Sequence, residues 1–145
     1  MRALYRFGKL GRLRYISHLD LQRFMQRALR RTDLPVAYSQ GFSPHAQMAF
    51  ASALAMGHSS ECELLDIKLS EPVEPDRALS QLQCALPPEM PVYQVRLVDD
   101  RHPALMAMLA YADYRIKPEG EGAEALLCEA ERFWSEPSVI AMRKT

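Results

Sequence analysis

The arginines of residues 23–31 have types and spacing that could bind a polyanion. Arg23 and Arg27 are four residues apart, and Arg30 and Arg31 follow three and four residues after Arg27. On a helix such positions lie on one side, so their guanidinium groups would form a ridge about two turns long. A guanidinium group can donate two parallel hydrogen bonds to a phosphate. We call Arg23, Arg27, Arg30 and Arg31 the arginine ridge and predict that it contacts RNA or another polyanion.

Charge is divided unevenly along the chain. Its 18 basic and 18 acidic residues balance, but residues 1–60 contain nine Lys or Arg and two acids, and residues 61–145 contain nine and sixteen. Arg12 and Arg14 lie just ahead of the ridge helix, and we include them in the polyanion surface. The positive excess would be stabilised by an RNA or phosphate partner, which we favour, or by the acid-rich remainder of the chain. The helix dipole is an alternative explanation for the last two arginines of the ridge.

Two histidines and two acids could form a separate pocket. His18 follows a helix-capping serine, His45 ends the turn-rich GFSPH loop (residues 41–45), and Glu63 and Asp66 lie on a predicted strand. If these four side chains converge, they could perform acid–base chemistry or hold a metal ion. Otherwise each has an ordinary structural role, and we assign neither a metal nor a cofactor. The full set of candidate pocket residues is His18, Asp20, Gly41, Phe42, Pro44, His45, Glu63 and Asp66.

The start of the ridge helix illustrates these alternatives. Ser17, His18 and Asp20 superficially suggest a catalytic triad, but side chains this close at a helix start point in different directions. Ser17 as the N-cap, with Asp20 three residues later, explains both residues better. A neutral imidazole is favoured at a helix start, so His18 could accept a proton, or it could simply pack against the loop. His45 could be a general base or ligand, or could organise its turn.

The cysteines exclude several functions. Cys62, Cys84 and Cys128 are odd in number and far apart, which is not the pattern of a disulfide framework or a close-spaced metal site. A radical SAM cluster needs three closely spaced thiolates, so this chain should not perform radical chemistry itself. Buried free thiols are the expectation. The sequence also lacks a phosphate-binding glycine loop, a secretion signal and an apolar membrane span, so we expect a cytoplasmic protein without membrane contact.

Hydrophobic periodicity predicts an α+β fold. Alternation indicates a strand near residues 2–7 that resumes at residues 12–16, and helical spacing of apolar residues over 21–29 indicates a helix with its stripe in the core. The further predicted elements are strands at residues 36–38 and 47–53, a bulged strand at 61–69, a helix at 76–85 and a strand at 92–98. The order β-α-β-β-α-β is that of a ferredoxin-like split βαβ unit with an antiparallel sheet, which we assign to residues 1–100 as a basic domain.

Residues 101–145 are predicted to form a partial second β-α-β unit of α+β type, which could be truncated. It would contain a short apolar helix, a strand at residues 111–117, a helix at about 123–134 and the start of a strand at 139–142. The predicted buried stripe of its longer helix consists of Ala123, Leu126, Leu127, Ala130 and Phe133.

Long stretches of the sequence resemble a known family. GRLRYISHLDLQRFMQRALRR, LPVAYSQGFSPHAQMAFASALAMG and SSECELLDIKL are similar to the uncharacterised radical-SAM-linked proteins, a domain of unknown function found beside or fused to radical SAM proteins. The resemblance covers residues 9–69 closely and the remainder loosely. It implies a cytoplasmic radical SAM protein as partner and a role in the modification of RNA or the ribosome.

Two classes of function therefore remain open. The first is a non-catalytic RNA-binding or substrate-docking module for a radical SAM enzyme, which uses the arginine ridge and the GFSPH loop. The sheet lacks the aromatic signature of RRM domains, so sequence-specific reading of single strands is not expected. The second is a small enzyme or a ligand- or metal-binding domain with a pocket around His18, His45, Glu63 and Asp66. A protein-interaction adaptor that presents its basic face to an acidic enzyme is a weaker alternative.

Overall fold

A four-stranded antiparallel sheet with two helices forms the first part of the molecule. The computed structural model describes residues 1–135. The strands are β1 (Arg2–Lys9), β2 (Met48–Phe50), β3 (Ser60–Lys68) and β4 (Val92–Val98), and the helices are α1 (His18–Leu29) and α2 (Pro75–Ala85). The strands lie in the order β2-β3-β1-β4, and all neighbours are antiparallel. This is the ferredoxin-like split βαβ arrangement, so the α+β prediction is confirmed.

The alternation of the central strand β1 separates the core from a second sheet face. Ala3, Tyr5 and Phe7 are buried in the core, and the even-numbered residues lie on the opposite face. The Tyr5 hydroxyl donates a hydrogen bond to the Ala78 carbonyl of α2 at 3.2 Å, and burial raises the pKa of Tyr5. The core side of α1 consists of Leu21, Met25, Ala28 and Leu29, with Phe24 half-buried beside them. The predicted apolar stripe of α1 is confirmed.

The segment after β1 differs from its prediction. The alternation predicts a strand at residues 12–16, but Gly11–Tyr15 form a 3₁₀ helix. Gly11 turns the chain with a φ of +53°, a left-handed conformation that glycine adopts without strain. The Leu13 and Ile16 amides then each donate to the carbonyl three residues earlier. The alternation of this segment therefore reflects exposed arginines and not a sheet face.

The bulge in β3 lies earlier than the apolar pattern indicates. The register with β1 shifts between Ser60 and Glu63, where β3 carries an additional residue. Leu64 and Leu65 keep the regular alternation, with Leu65 in the core and Leu64 half-buried on the opposite face. Leu64 and Leu65 are both apolar, although they point to opposite faces, because residues 105–108 partly cover the face on which Leu64 lies.

The two strands predicted around the GFSPH loop are shorter in the structure. Val36 and Tyr38 form only isolated bridges, with Leu69 and Ala46 respectively, and β2 is limited to three residues. The GFSPH loop therefore extends from the edge of the sheet beside the end of β3.

The chain divides into two compact units after Ala110, ten residues beyond the boundary predicted from the sequence. The first unit includes the short predicted helix α3 (Leu105–Met108), which contacts β3. Arg2 lies on the sheet face opposite α1 and α2 and donates to the His102 carbonyl. This hydrogen bond connects the segment before α3 to the sheet and explains why it belongs to the first unit.

The second unit lacks the first strand of its predicted β-α-β form. Its helix α4 (Ala123–Ser135) agrees with the prediction, but residues 111–117 are exposed and form no strand. The described part of this unit offers no neighbouring strand, and an unpaired strand is not stable alone. The strand predicted at residues 139–142 lies outside the described residues.

The apolar stripe predicted for α4 is not buried. Leu126, Leu127 and Phe133 are exposed, and Ala123 and Ala130 are only half-buried. The pattern predicted a core face, but no described element of its own unit covers this helix. None of the helices in residues 1–135 is both long and apolar enough to span a membrane.

The three cysteines are free and exposed, so the prediction of buried thiols is wrong. Cys62 lies at the bulge of β3, where the strand leaves its regular pairing. Cys84 is on the outer side of α2, and Cys128 is on the uncovered helix α4. No described helix or strand covers any of the three cysteines, and the sequence alone does not indicate this exposure.

We predict that Leu29→Ala lowers the free energy of unfolding by about 2–5 kcal/mol, because it leaves a cavity beneath α1. Leu29 is 1% exposed, whereas Leu19 in the same helix is 63% exposed. Leu19→Ala is therefore a matched control, with an expected change within about 0.5 kcal/mol. Phe24→Ala should fall between them because its ring is half-buried. Urea unfolding measures all three, and a wild-type midpoint for Leu29→Ala would mean that α1 is turned the other way.

Candidate functional site

Ser17 caps α1 and determines where the ridge helix begins. Its hydroxyl oxygen accepts a hydrogen bond from the Asp20 amide at 3.1 Å, and its hydroxyl donates to the Asp20 carboxylate at 2.7 Å. This reciprocal pair satisfies one of the free amides of the first helical turn. Capping therefore accounts for Ser17 and Asp20, and neither forms a catalytic relay with His18.

Three arginines of the ridge point to solvent from the outer side of α1. Arg23, Arg27 and Arg30 are exposed on the side opposite the apolar stripe. Arg23 lies 3.6 Å from Asp20 in an exposed ion pair, a kind that contributes little to stability. Within residues 1–135, Arg27 and Arg30 form no ion pair. Three guanidinium groups are thus open to an anionic partner over about 10 Å of helix.

The remaining arginines of the predicted surface have different surroundings. Arg31 donates to the Ala85 carbonyl at the end of α2 at 2.7 Å, so it links the two helices. Arg12 is exposed and lies 3.8 Å from a glutamate ahead of β4. The Arg14 guanidinium lies 4.7 Å from the centre of the exposed Tyr15 ring and donates to its hydroxyl at 2.6 Å. Arg12 and Arg14 extend the basic surface, whereas Arg31 has a structural role.

The GFSPH loop exposes an aromatic ring and does not enclose a pocket. Gly41 adopts a φ of +126°, which favours glycine, and Phe42 and Pro44 are exposed. The Ser39 hydroxyl oxygen accepts from the His45 amide at 3.1 Å and lies 2.8 Å from the His45 Nδ1 atom. His45 therefore organises its turn, and Phe42 is left free at the surface.

The four residues of the predicted pocket do not converge. Glu63 faces the core and Asp66 the opposite face, because three steps along a strand reverse the side-chain direction. His45 lies beside the end of β3, where β3 adjoins the GFSPH loop. His18 packs against Phe50, the last residue of β2. On its own face, Asp66 accepts a hydrogen bond from the Arg2 Nε atom at 3.1 Å.

His18 instead borders a buried region at the start of α1. Its ring meets the Phe50 ring edge-on, with centres 5.4 Å apart, and its Nε2 atom lies 3.2 Å from the Gln22 side-chain amide. Its Nδ1 atom is buried and has no hydrogen-bond partner. Glu63 faces the same side of the sheet, next to Phe7 in register, but no hydrogen bond connects it to His18.

Lys9 and Glu63 are the buried charged residues of this region. The Lys9 ammonium group donates to the Ile16 carbonyl at 3.1 Å and lies 3.5 Å from the Arg14 carbonyl. Burial lowers the pKa of Lys9, and the charge of Glu63 partly opposes this effect. Lys9 and Glu63 form no ion pair, so the ammonium group mainly stabilises the turn that leads into α1. Over residues 1–135, no group of three His, Cys, Asp or Glu side chains could hold a metal ion.

Sequence reasoning missed Lys9 and the Arg2–Asp66 pair. The alternation of β1 contains the signal for Lys9, because it occupies the next inward position after Phe7. The pairing of Arg2 with Asp66 depends on the register of β1 against β3, two strands that are far apart in sequence. Only the folded sheet shows that these charges neutralise each other.

Comparison with known proteins identifies the family but no activity. The family model described as "Uncharacterized protein conserved in bacteria (DUF2344)" matches residues 2–145. No curated protein and no solved structure matches the chain. A function for this chain therefore rests on the geometry and charge of the described residues.

We compare the free energy of unfolding of the wild type with that of Lys9→Met. We predict that the wild-type value rises relative to the variant's as the pH approaches 10.5, the ordinary pKa of lysine. The folded protein releases the Lys9 proton at lower pH than the unfolded chain does. In the window between the two pKa values the unfolded state binds more protons, so stability increases with pH there. Tyr5 is present in both proteins, so its ionisation cancels when their free energies of unfolding are subtracted.

The measurement is a series of urea unfolding curves at increasing pH. Lys68→Met is the matched control, because Lys68 is exposed on β3, and the stability difference from wild type should not show the same rise. A difference for Lys9→Met that stays constant or falls across the window would mean that burial does not disfavour the Lys9 ammonium group.

Proposed function

We propose that this chain, which belongs to the DUF2344 family of bacterial proteins, is a non-catalytic docking module that binds RNA through the outer side of α1. The observation that supports this proposal most strongly is the exposed row of Arg23, Arg27 and Arg30. Within residues 1–135, Arg27 and Arg30 have no carboxylate partner, and Arg23 has only the exposed pair with Asp20. A row of such guanidinium groups favours a ligand with repeated negative charges.

The distribution of ion pairs argues against internal neutralisation of the ridge. Three positive groups of the basic segment have acidic partners from the second half of the chain. These pairs are Arg2 with Asp66, Arg12 with Glu89, and the terminal amine with Asp100. None of these pairs includes an arginine of the ridge. Within residues 1–110, the acid-rich part of the sequence thus leaves the ridge available to another molecule.

One exposed aromatic ring precedes the ridge helix in the sequence, and another follows it. Tyr15 lies ahead of its start and stacks with Arg14, and Phe42 lies in the loop that follows the helix in sequence. Unpaired bases of a structured RNA stack on aromatic rings and on guanidinium planes. The combination of exposed cations with exposed aromatic rings favours RNA over a simple anion.

A radical SAM enzyme is the proposed partner, and this part of the proposal depends on the resemblance of residues 9–69 to radical-SAM-linked proteins. In this proposal the partner performs the radical chemistry and this chain docks the substrate. The cysteines support that arrangement, because Cys62, Cys84 and Cys128 are widely separated in the sequence. A cluster needs three closely spaced thiolates, so radical chemistry would be supplied by the partner. Capture of this chain from bacterial cells with and without nuclease would show whether the partner is held directly or through RNA.

A ligand-binding domain is the second candidate function. The buried Nδ1 atom of His18, which lacks a hydrogen-bond partner, favours it. The dispersal of His45, Glu63 and Asp66 opposes it, because a catalytic constellation requires side chains within hydrogen-bond reach. The adaptor alternative would use the same arginines and differs in its partner, an acidic protein.

We predict that wild-type protein binds a structured RNA with an affinity that falls steeply as salt increases. Arg23→Ala/Arg27→Ala should flatten the slope of log affinity against log salt by about 1.4–1.8, because each phosphate contact contributes about 0.7–0.9. Fluorescence anisotropy of a labelled hairpin at several salt concentrations measures the slope.

Arg77→Ala/Arg101→Ala is the matched control for this experiment. It removes the same charge from exposed arginines outside the ridge, so it should lower affinity slightly and leave the slope nearly unchanged. Absence of wild-type binding at low salt, or the same slope for wild type and the ridge variant, would refute RNA docking by α1. Retained binding to an acidic protein partner would then support the adaptor.

A further inference from the structure

The sheet face opposite α1 and α2 carries a second group of cations. Arg6 of β1 pairs in register with Gln94 of β4, and Leu4 pairs with Arg96. Directly opposite residues of neighbouring strands have side chains on the same face, so these four side chains form one surface. Arg6 and Arg96 are exposed. The face is therefore polar and basic above an apolar base.

The ring of Tyr93 also lies on this face, between Arg6 and Gly8 of β1. Tyr93 is the additional residue at the register shift between β4 and β1, and the Arg6 guanidinium lies 5.3 Å from the centre of its ring. The Tyr93 hydroxyl crosses β1 at Gly8, where a side-chain Cβ atom would lie 2.8 Å from it. Gly8 therefore permits the ring to lie across the strand, and the cation–π contact holds Arg6 beside it.

A cleft adjoins this pair. It has a volume of about 270 Å³, with Leu4 and Leu64 in its floor and Leu105 and Met108 of α3 in its wall. Arg6, Gln94 and Arg96 also line it. The cleft thus combines an apolar slot with two guanidinium groups, one amide and the imidazole of His102. This composition suits a flat heterocycle that carries a phosphate, and the volume is close to the lower limit for small-ligand sites.

Charge on this face favours an anion. Asp66, a carboxylate of this face, is already bound to Arg2, with both side chains largely buried. Within residues 1–135, neither Arg6 nor Arg96 forms an ion pair. Proteins bind single-stranded nucleic acid by placing cations against its phosphates and aromatic rings against its bases. Arg6, Arg96 and Tyr93 offer both kinds of contact.

We infer that this open sheet face binds one or two unpaired nucleotides of a single-stranded RNA. One base enters the cleft over Leu4 and Leu64, Arg6 and Arg96 bind the adjoining phosphate, and the neighbouring base stacks on the Arg6–Tyr93 pair. This surface and the ridge of α1 lie on opposite sides of the sheet. The inference therefore goes beyond the proposed function and does not require it.

The test is the binding of a fluorescently labelled single-stranded RNA tetranucleotide at low salt to the full chain. Tyr93→Ala should weaken binding roughly tenfold or more, because base stacking on an aromatic ring is lost, and Arg96→Ala should weaken it and reduce its salt dependence. Tyr38→Ala is the control, since Tyr38 and Tyr93 are 38% and 39% exposed. Far-UV circular dichroism and urea midpoints establish that each variant is folded.

Two further arms distinguish the open face from the ridge of α1 and from a mononucleotide site. Arg77→Ala, at an exposed position of α2 outside both surfaces, should bind the tetranucleotide as tightly as the wild type does. A loss of binding confined to Arg23→Ala/Arg27→Ala, with Tyr93→Ala and Arg96→Ala unaffected, would assign single strands to α1 and overturn the inference. The same four nucleotides held in the paired stem of a longer hairpin should bind the open face more weakly than the single strand does. A free nucleoside monophosphate that binds as tightly as the tetranucleotide would overturn the assignment to RNA.

Chemical shifts of the wild-type arginine side chains give a readout that does not depend on variants. Titration with the tetranucleotide should move the Nε signals of Arg6 and Arg96 and the ring signals of Tyr93. Unchanged signals for all three under conditions where the tetranucleotide binds, or no binding at low salt, would overturn the inference.

Discussion

The register of β1 is the constraint on which the rest of the structure depends. This central strand pairs with β3 on one side and β4 on the other, and its alternation assigns Tyr5 and Phe7 to the core and Arg2 and Arg6 to the open face. A shift of one residue would bury the arginines and expose the aromatic rings. The same register brings Arg2 opposite β3 so that it can bind Asp66. Core packing, the neutralisation of Asp66 and the basic open face therefore follow from one pairing.

The core in turn determines which side of α1 reaches solvent. Its apolar side packs on the sheet, so Arg23, Arg27 and Arg30 must point outward. Ser17 fixes the start of the helix. The resulting molecule presents cations on the outer side of α1 and again on the opposite sheet face, with the apolar core between them. This distribution of cations is the basis of the proposed contact with a polyanion.

The periodic features of the fold could be predicted from the sequence, and the irregular ones could not. The stripe of α1 and the alternation of β4 are local signals, and both were confirmed. The 3₁₀ helix at Gly11–Tyr15 was missed because exposed arginines imitate strand alternation. The stripe of α4 predicted burial, but amphipathicity indicates only that a helix has an apolar side and does not show what covers it.

The candidate site divides in the same way. Exposure of the ridge follows from helical spacing alone. Convergence of His18, His45, Glu63 and Asp66 could not be judged from the sequence, because it depends on which sheet face and which strand end each residue occupies. The position of Tyr93 beside Arg6 depends on the bulge in β4 and on the absence of a side chain at Gly8. The sequence of β4 alone does not predict the bulge, and the sequence of β1 alone does not show that the Tyr93 ring crosses at Gly8.

The most direct measurement of the central claim is a chemical-shift titration of isotopically labelled protein with a structured RNA hairpin at low salt. RNA docking by α1 predicts that the arginine Nε signals of Arg23, Arg27 and Arg30 move in proportion to the bound fraction. It also predicts that the buried Lys9 and the His18 ring, which lie outside the contact surface, change little. Shifts confined to His18 and its neighbours, with the three arginine signals unmoved, would contradict the account and indicate a ligand site at the start of α1.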